Sequence, residues 1–214
     1  MADTDRKGII FDLDGTMWNS LKQIIPAYKR VLSKYEDIEI DITEEKLKKC
    51  MGKTLEEIGE MLFPQIDSDR IKKILSECAQ EELVEIRKKG GTLYPRLKET
   101  LGVLKQNYGL FIVSNCEDGY IESFLEYHQV KDLFDDYEYV GRTGKSKGEN
   151  IKEIIRRNRV DKAAYVGDTQ GDIDAADLAG IPFIFASYGF GRVDRKTPSI
   201  ASFDELPEVI NKVI

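Results

Sequence analysis

The stretch Ile9-Ile10-Phe11-Asp12-Leu13-Asp14-Gly15-Thr16 decides the fold of this chain and the chemistry it can carry. An apolar run ends in two carboxylates, Asp12 and Asp14, which fall on the same side if the strand continues. Gly15 then permits a sharp turn at the carboxyl edge of that strand. Two carboxylates this close resist joint ionisation unless a cation lies between them. The motif therefore predicts a Mg²⁺-type site with one carboxylate free to attack or to move a proton. A plain acidic turn after a strand is the less specific alternative.

Composition narrows the class of protein. The 214 residues are 41% hydrophobic and carry 32 basic against 39 acidic side chains, a net charge of −7, which argues against nucleic-acid and membrane partners. No apolar run reaches the ~18 residues of a transmembrane helix, and the N-terminus lacks the apolar segment of a signal peptide. Three scattered cysteines indicate reduced thiols and predict a cytoplasmic protein. His128 is the single histidine, which nearly excludes histidine-based triads and histidine-rich metal sites.

The hydrophobic pattern changes twice along the chain. Between residues 17 and 91 apolar residues recur at helical spacing, which predicts an all-helical cap inserted into a core made of residues 1–16 and 92–214. Within that core, short apolar strands alternate with helices. The sequence therefore predicts an α/β fold, a Rossmann-like parallel sheet with helices on both faces.

Polar groups follow two further predicted strands at the point where each ends. Ser114 and Asn115 follow residues 110–113, and Asp168 and Asp172 follow residues 163–166. Each group alone is ordinary turn chemistry. Because ligands bind at the carboxyl ends of parallel strands, we expect these side chains to meet Asp12 in one crevice.

Lys147 supplies a positive charge for this crevice. Ser146 and Glu149 fit a capping box, which places Lys147 in the first turn of a helix, where anions are favoured. A solvated surface lysine is a serious alternative among 32 basic residues. Lys145 is a close competitor, but it precedes the cap.

These motifs occur in the order found in a known superfamily. The chain resembles the haloacid dehalogenase-like phosphohydrolases over nearly its whole length, and its insertion resembles the helical cap of phosphoglycolate phosphatase-like members. Asn19 and Arg96 depart from that subgroup's pattern. The matching positions are Asp12-Leu13-Asp14-Gly15-Thr16 for the first motif, Ser114 for the second, Lys147 for the third, and Gly167-Asp168 with Asp172 for the fourth.

The resemblance implies a role for each matching residue. Asp12 would attack phosphorus, and Asp14 would protonate the leaving alcohol and then activate water. Retention of Asp14 favours phosphate ester cleavage over dehalogenation, because a departing halide needs no proton. Ser114 and Lys147 would hold the phosphoryl oxygens. Supporting positions in the loop and phosphate pocket would be Gly15, Thr16 and Asn115.

The implied cofactor is Mg²⁺. Its ligands would be Asp12, the backbone carbonyl of Asp14, and Asp168, and Asp172 would orient metal-bound water or Lys147. Two further residues have evenly weighted interpretations: Trp18 either lines the substrate pocket or packs under the cap, and Lys53 either faces the site from the cap or lies in an exposed turn.

The sequence thus predicts a Mg²⁺-dependent phosphatase acting on a small phosphorylated metabolite, with a phosphoglycolate-like substrate as the leading candidate. A phosphomutase of the same superfamily is the main alternative, and a non-catalytic phosphate-binding protein is a weaker one because Asp12, Asp14, Lys147 and Asp168 are all present. The sequence leaves the substrate and the oligomeric state open.

Overall fold

The computed structural model describes residues 5–214, and its centre is a six-stranded parallel sheet in the order β5-β4-β1-β6-β7-β8. The first strand, β1, lies in the middle and pairs in parallel with β4 on one side and β6 on the other. The strands of this sheet are β1 Lys7–Phe11, β4 Gly109–Ser114, β5 Asp136–Tyr139, β6 Lys162–Gly167, β7 Phe183–Ala186 and β8 Ser199–Ile200. A separate antiparallel pair is formed by β2 Trp18–Asn19 and β3 Thr92–Leu93.

Helices cover both faces of the sheet, as predicted. Ile9 and Phe11 of β1 are buried on one face with Leu101 and Phe124, whereas Ile10 is buried on the other face. The helices are α1 Leu21–Leu32, α2 Glu44–Cys50, α3 Leu55–Leu62, α4 Ser68–Lys89, α5 Leu97–Leu104, α6 Tyr120–Tyr127, α7 Val140–Thr143, α8 Lys147–Asn158, α9 Gln170–Ala179 and α10 Leu206–Ile210. Alternating strands and helices confirm the predicted α/β class.

The insertion between β2 and β3 is helical and has a core of its own. Helices α1 to α4 bury Leu21, Tyr28, Leu75 and Cys78 against one another, apart from the two clusters on the sheet. A capping box formed by Thr54 and Glu57 begins α3. The helical character predicted for residues 17–91 is present, and the division of the chain into core and cap stays an interpretation.

The first strand does not continue through the two carboxylates. It ends at Phe11, so Asp12 and Asp14 lie in the loop that follows, where Asp14 forms an isolated bridge to Trp18 and the backbone turns at Gly15. The two-residue strands β2, β3 and β8 are too short to give a hydrophobic pattern.

No helix among residues 5–214 combines the length and the apolar character that a membrane span requires.

Candidate active site

Three carboxylates meet at the carboxyl edge of the central strands. Asp12 directly follows β1 and Asp168 directly follows its neighbour β6, so the parallel pairing brings the two together. Asp172 lies one turn into α9. Oxygens of the three side chains lie within 4.8 Å of one another, and all three residues are buried. A cluster of buried carboxylate oxygens is a donor set suited to a hard divalent cation.

Lys147 is buried inside this cluster at the start of α8. Its Nζ donates to Asp12 Oδ1 at 2.8 Å and to Asp172 Oδ1 at 2.7 Å. Burial alone lowers the pKa of an ammonium, but the Asp12 and Asp172 carboxylates outweigh it and raise the pKa of Lys147 well above its ordinary value. The capping box of Ser146 and Glu149 is formed. The solvated interpretation of Lys147 is therefore wrong, and its competitor Lys145 is exposed.

Asp12 has one oxygen held and one available. Oδ1 accepts from Lys147, whereas Oδ2 is buried and has no hydrogen-bond partner among the described residues. Burial raises the pKa of Asp12 to about 7, Lys147 opposes that rise and Asp172 adds to it. A buried carboxylate oxygen without a partner is costly unless a ligand satisfies it. This oxygen is therefore the natural point of attachment for a cation or an electrophile.

Asp14 is held by two hydroxyls that sequence reasoning missed. Its Oδ1 accepts from Ser20 Oγ and, at 3.1 Å, from Tyr120 Oη. Burial raises the pKa of Asp14 to about 6, and the bonds from Ser20 and Tyr120 oppose the rise. Ser20 precedes α1 and looks like a helix cap, yet its side chain makes no capping bond. Tyr120 is 106 residues away in sequence, so no local signal could reveal it.

The loop after Asp14 is shaped around Asp168. Gly15 has a φ of +87°, and a Cβ at this position would lie 2.3 Å from Asp168 Oδ2. Thr16 Oγ1 donates to Asp168 Oδ1 at 3.3 Å, and the Phe190 amide donates to Asp168 Oδ2 at 2.7 Å. Burial, reinforced by the Asp172 and Asp12 carboxylates, raises the pKa of Asp168 well above its ordinary value. Gly15 is thus the residue type that this close approach requires.

Asp172 has both oxygens engaged by the protein. Oδ1 accepts from Lys147, and Oδ2 accepts from the Asp168 amide at 3.1 Å, the Thr169 amide at 2.9 Å and the Thr169 hydroxyl at 2.7 Å. These bonds fix Lys147 against the end of β6. Of the two roles that the resemblance implies for Asp172, orienting Lys147 is the one that the contacts favour.

The second predicted motif lies beside the insertion. Ser114 ends β4 and is buried at the edge of the same cavity as Asp12 and Asp14. Asn115 uses its amide Nδ2 to donate to the Gly52 carbonyl at 2.7 Å, so it links β4 to the loop between α2 and α3. Lys53, next in that loop, lines the cavity and lies 3.9 Å from Glu57. The structure thus favours the interpretation in which Lys53 faces the site.

Trp18 does not line the cavity. The residue is fully buried in the core and packs edge-on against Tyr120, Phe124 and His128. The substrate-lining interpretation of Trp18 is therefore corrected in favour of packing, because the β2–β3 pairing turns the ring inward. His128 caps α6, away from the carboxylates, and burial lowers the pKa of its imidazole to about 4.

A cavity separates the carboxylates from the helical insertion. The sheet edge contributes polar groups and the insertion contributes mostly apolar ones, with Glu82 of α4 as an acidic exception. Burial raises the pKa of Glu82 to about 8, and the nearby Asp14 carboxylate adds to that rise. The lining residues are Asp12, Asp14, Ile24, Tyr28, Leu47, Cys50, Met51, Gly52, Lys53, Leu55, Ile58, Ala79, Glu82, Leu83, Ser114, Asn115, Cys116, Glu117, Asp118 and Tyr120.

The parallel sheet, the carboxylate cluster at its edge and the buried lysine define a class of α/β hydrolytic enzymes with an acidic centre under a helical insertion. Residues 9–186 match the model of the haloacid dehalogenase-like hydrolase family. The chain belongs to that family, as its motifs predict.

Individual relatives agree with this assignment. A phosphoglycolate phosphatase of Aliivibrio fischeri is 28% identical over 199 residues, which cover 87% of this chain and 86% of that protein. One of Vibrio parahaemolyticus is 26% identical over 227 residues, covering 100% of this chain and 98% of that protein. The solved structure of a putative haloacid dehalogenase-like hydrolase from Bacteroides fragilis has a TM-score of 0.81 at 26% identity, covering 95% of this chain and 100% of that one. These matches support the prediction of a phosphatase.

Proposed function

We propose that this protein is a Mg²⁺-dependent phosphatase that hydrolyses a small phosphomonoester through a phosphorylated Asp12. The observation that carries the proposal is that the two oxygens of the Asp12 carboxylate have different surroundings. Lys147 holds Oδ1, while Oδ2 is buried without a hydrogen-bond partner among the described residues. An oxygen in that state is poised to attack an electrophile or to bind a cation.

In the first step, Asp12 attacks the phosphorus of the ester. A bond forms between the aspartyl oxygen and phosphorus, the bond from phosphorus to the alcohol oxygen breaks, and Asp14 gives its proton to the departing alkoxide. In the second step, Asp14 takes a proton from water, whose oxygen displaces Asp12 and releases inorganic phosphate. Asp14 suits both steps because its pKa is raised to about 6 and its Oδ1 is fixed by Ser20 and Tyr120.

The residues present fit a Mg²⁺ ion. Asp12 and Asp168 supply carboxylate oxygens, and the unpartnered Asp12 Oδ2 is a site that a cation would satisfy. When bound, the ion would neutralise charge on the phosphoryl oxygens. The Asp14 backbone carbonyl would complete the protein's share of the ligands, with Asp172 beside them.

Phosphoryl oxygens would be held by the groups around Asp12. Lys147 brings a fixed positive charge, and Ser114 brings a hydroxyl at the end of β4. Gly15 and Thr16 fix the loop that follows Asp14. Asn115 joins the end of β4 to the insertion through its bond to Gly52.

We further propose that residues 17–91 act as a cap over this site. The Asn115 to Gly52 bond is a contact that opening would break. Gly90 and Gly91 are the hinge candidates at one end, and both fit tightly: a Cβ on either would lie under 3 Å from the Tyr127 or Trp18 ring. Closure of a cap excludes bulk water from the reaction.

A phosphomutase would use the same Asp12 chemistry but return the phosphoryl group to the substrate. The relatives named phosphoglycolate phosphatase favour the hydrolase, and their name makes phosphoglycolate the first ester to assay. Product analysis separates the two, because only the hydrolase releases free phosphate.

The test measures phosphate release from a panel of small esters, with and without Mg²⁺. Wild type should release phosphate only with the ion, and Asp12→Asn should lower the rate by a factor on the order of 10³ or more while remaining folded. Asp174→Asn is the matched control, since Asp174 is exposed on α9 and, among residues 5–214, its side chain forms a hydrogen bond only with Gln170. A fully active Asp12→Asn protein would refute the proposal.

A further inference from the structure

The cavity under the insertion has an unusual balance of charge for the site of a small anion. Beyond the reacting pair Asp12 and Asp14, its lining includes Glu82 from α4, and Glu117 and Asp118 at the exposed mouth. Among the described residues that line it, Lys53 is the only cation. The rest of the wall that the insertion contributes is largely apolar.

Two nearby cations, Lys147 and Lys53, already have carboxylate partners, and a third, Arg87 of α4, is exposed beside Gly119 at the mouth. Lys147 donates to Asp12 and Asp172 and is not among the described residues that line the cavity. The Lys53 Nζ lies 3.9 Å from Glu57 Oε1. Lys53 also lines a second, outer groove together with Arg192, so its ammonium is not confined to the cavity. A leaving group with its own carboxylate would thus meet Glu82 without a buried cation to pair with it. A buried charge without a partner is strongly disfavoured.

Glu82 offers the leaving group a hydrogen-bonding partner and never a positive charge. Ionised, its carboxylate pairs with an ammonium or accepts from a hydroxyl. Protonated, it still exchanges hydrogen bonds with a hydroxyl. In neither protonation state does it supply the cation that a second carboxylate needs. Glu82 lies on α4 and lines the cavity from the side of the insertion, whereas Asp14 lines it from the edge of the sheet.

We infer that this site selects esters whose alcohol part ends in an amine or a hydroxyl, that it discriminates against a terminal carboxylate, and that Glu82 is the residue that sets this preference. The inference rests on the proposed phosphatase function and narrows its substrate class. It separates this chain from the activity that its relatives' names describe.

Three two-carbon esters test the inference because they differ only at the far end: 2-aminoethyl phosphate, 2-hydroxyethyl phosphate and phosphoglycolate. With Mg²⁺ present, wild-type kcat/KM for the amine or the hydroxyl ester should exceed that for phosphoglycolate by at least about tenfold, because the second carboxylate of phosphoglycolate meets no buried cation to pair with it. Glu82→Gln should narrow the gap between the amine ester and phosphoglycolate. Glu82→Lys should favour phosphoglycolate.

Glu60→Gln is the matched control, because Glu60 is exposed on α3 and lies outside the lining of the cavity. A wild-type preference for phosphoglycolate, or equal rates for all three esters, would overturn the inference while leaving the phosphatase proposal intact. Identical preferences in Glu82→Gln and Glu60→Gln would remove Glu82 from the role. If no ester releases phosphate, 4-nitrophenyl phosphate included, the phosphatase proposal fails and this inference fails with it.

Discussion

Replacing Asp172 by asparagine tests whether the Lys147 network is the central support of the site. Asp172 is fully buried and accepts four hydrogen bonds, one of them from the Lys147 ammonium. An asparagine has the same shape, but its amide group is a donor. Whichever way the amide is turned, a donor faces either the Lys147 ammonium or the amides at the end of β6.

The expected loss follows from these contacts. Removing one partner of a buried ion pair usually costs about 3–5 kcal/mol of unfolding free energy. Lys147 keeps its bond to Asp12 and the asparagine oxygen keeps some of its donors, so we expect the lower end, about 3 kcal/mol. For a chain of this size, that loss lowers Tm by roughly 6–12 °C.

Chemical denaturation followed by circular dichroism measures the loss, with Asp174→Asn as the control on the same helix. Asp174 is exposed, so its replacement should change stability by less than about 0.5 kcal/mol. If the unfolding free energy of Asp172→Asn lies within about 1 kcal/mol of that of Asp174→Asn, the bonds of Asp172 do not stabilise the protein as expected, and the reasoning is wrong.

Mg²⁺ binding to variants of Asp168 and Asp172 tests whether Asp172 is itself a metal ligand or only orients Lys147. Mg²⁺ at 100 times its Kd should stabilise wild type by about 2.7 kcal/mol. Because both Asp172 oxygens are engaged by the protein, this gain should survive in Asp172→Asn and disappear in Asp168→Asn. Loss of the gain in both variants would show that Asp172 is itself a ligand.

Two further predictions concern the loop after Asp14 and the proton on the Asp12 carboxyl. Gly15→Ala forces a left-handed φ and a Cβ onto Asp168, so it should cost about 1–3 kcal/mol in denaturation, whereas Gly102→Ala, with open space around it, should not destabilise. Mg²⁺ binding, measured by calorimetry, should strengthen as the pH rises through about 7, where Asp12 loses its proton. The metal-free protein should lose stability from about pH 4 to 7, because folding raises the pKa of that carboxyl. A flat pH dependence of Mg²⁺ binding would contradict this.

Much of the site could be predicted because its signals are local. Asp12 and Asp168 stand at the ends of apolar strands, and Lys147 follows a helix cap, so strand pattern and capping place them. Parallel pairing then brings them together without any knowledge of side-chain contacts. The same logic gave the alternation of helices and strands around β1.

The remainder depends on contacts between distant segments. Tyr120 reaches Asp14 across 106 residues, and Glu82 faces the cavity only because the insertion folds back over the sheet edge. The sequence left two interpretations of Trp18 open, a place in the core or a place in the substrate pocket. Only the structure, in which Trp18 pairs with Leu93 of β3, distinguishes them. Two-residue strands such as these leave no periodic pattern to detect.

The environments of Asp12 and Asp14 explain why the proposed chemistry needs a cation. Without one, burial raises the pKa of both carboxyls, that of Asp12 to about 7 and that of Asp14 to about 6. The proposed reaction needs Asp12 ionised to attack phosphorus and Asp14 protonated to release the alcohol. A divalent cation held by Asp12 and Asp168 would favour the ionised form of Asp12, whereas the Asp14 carboxylate is turned toward Ser20 and Tyr120. Lys147 opposes the raised pKa of Asp12 without cancelling it, so the surroundings of Asp12 support the proposed Mg²⁺ dependence.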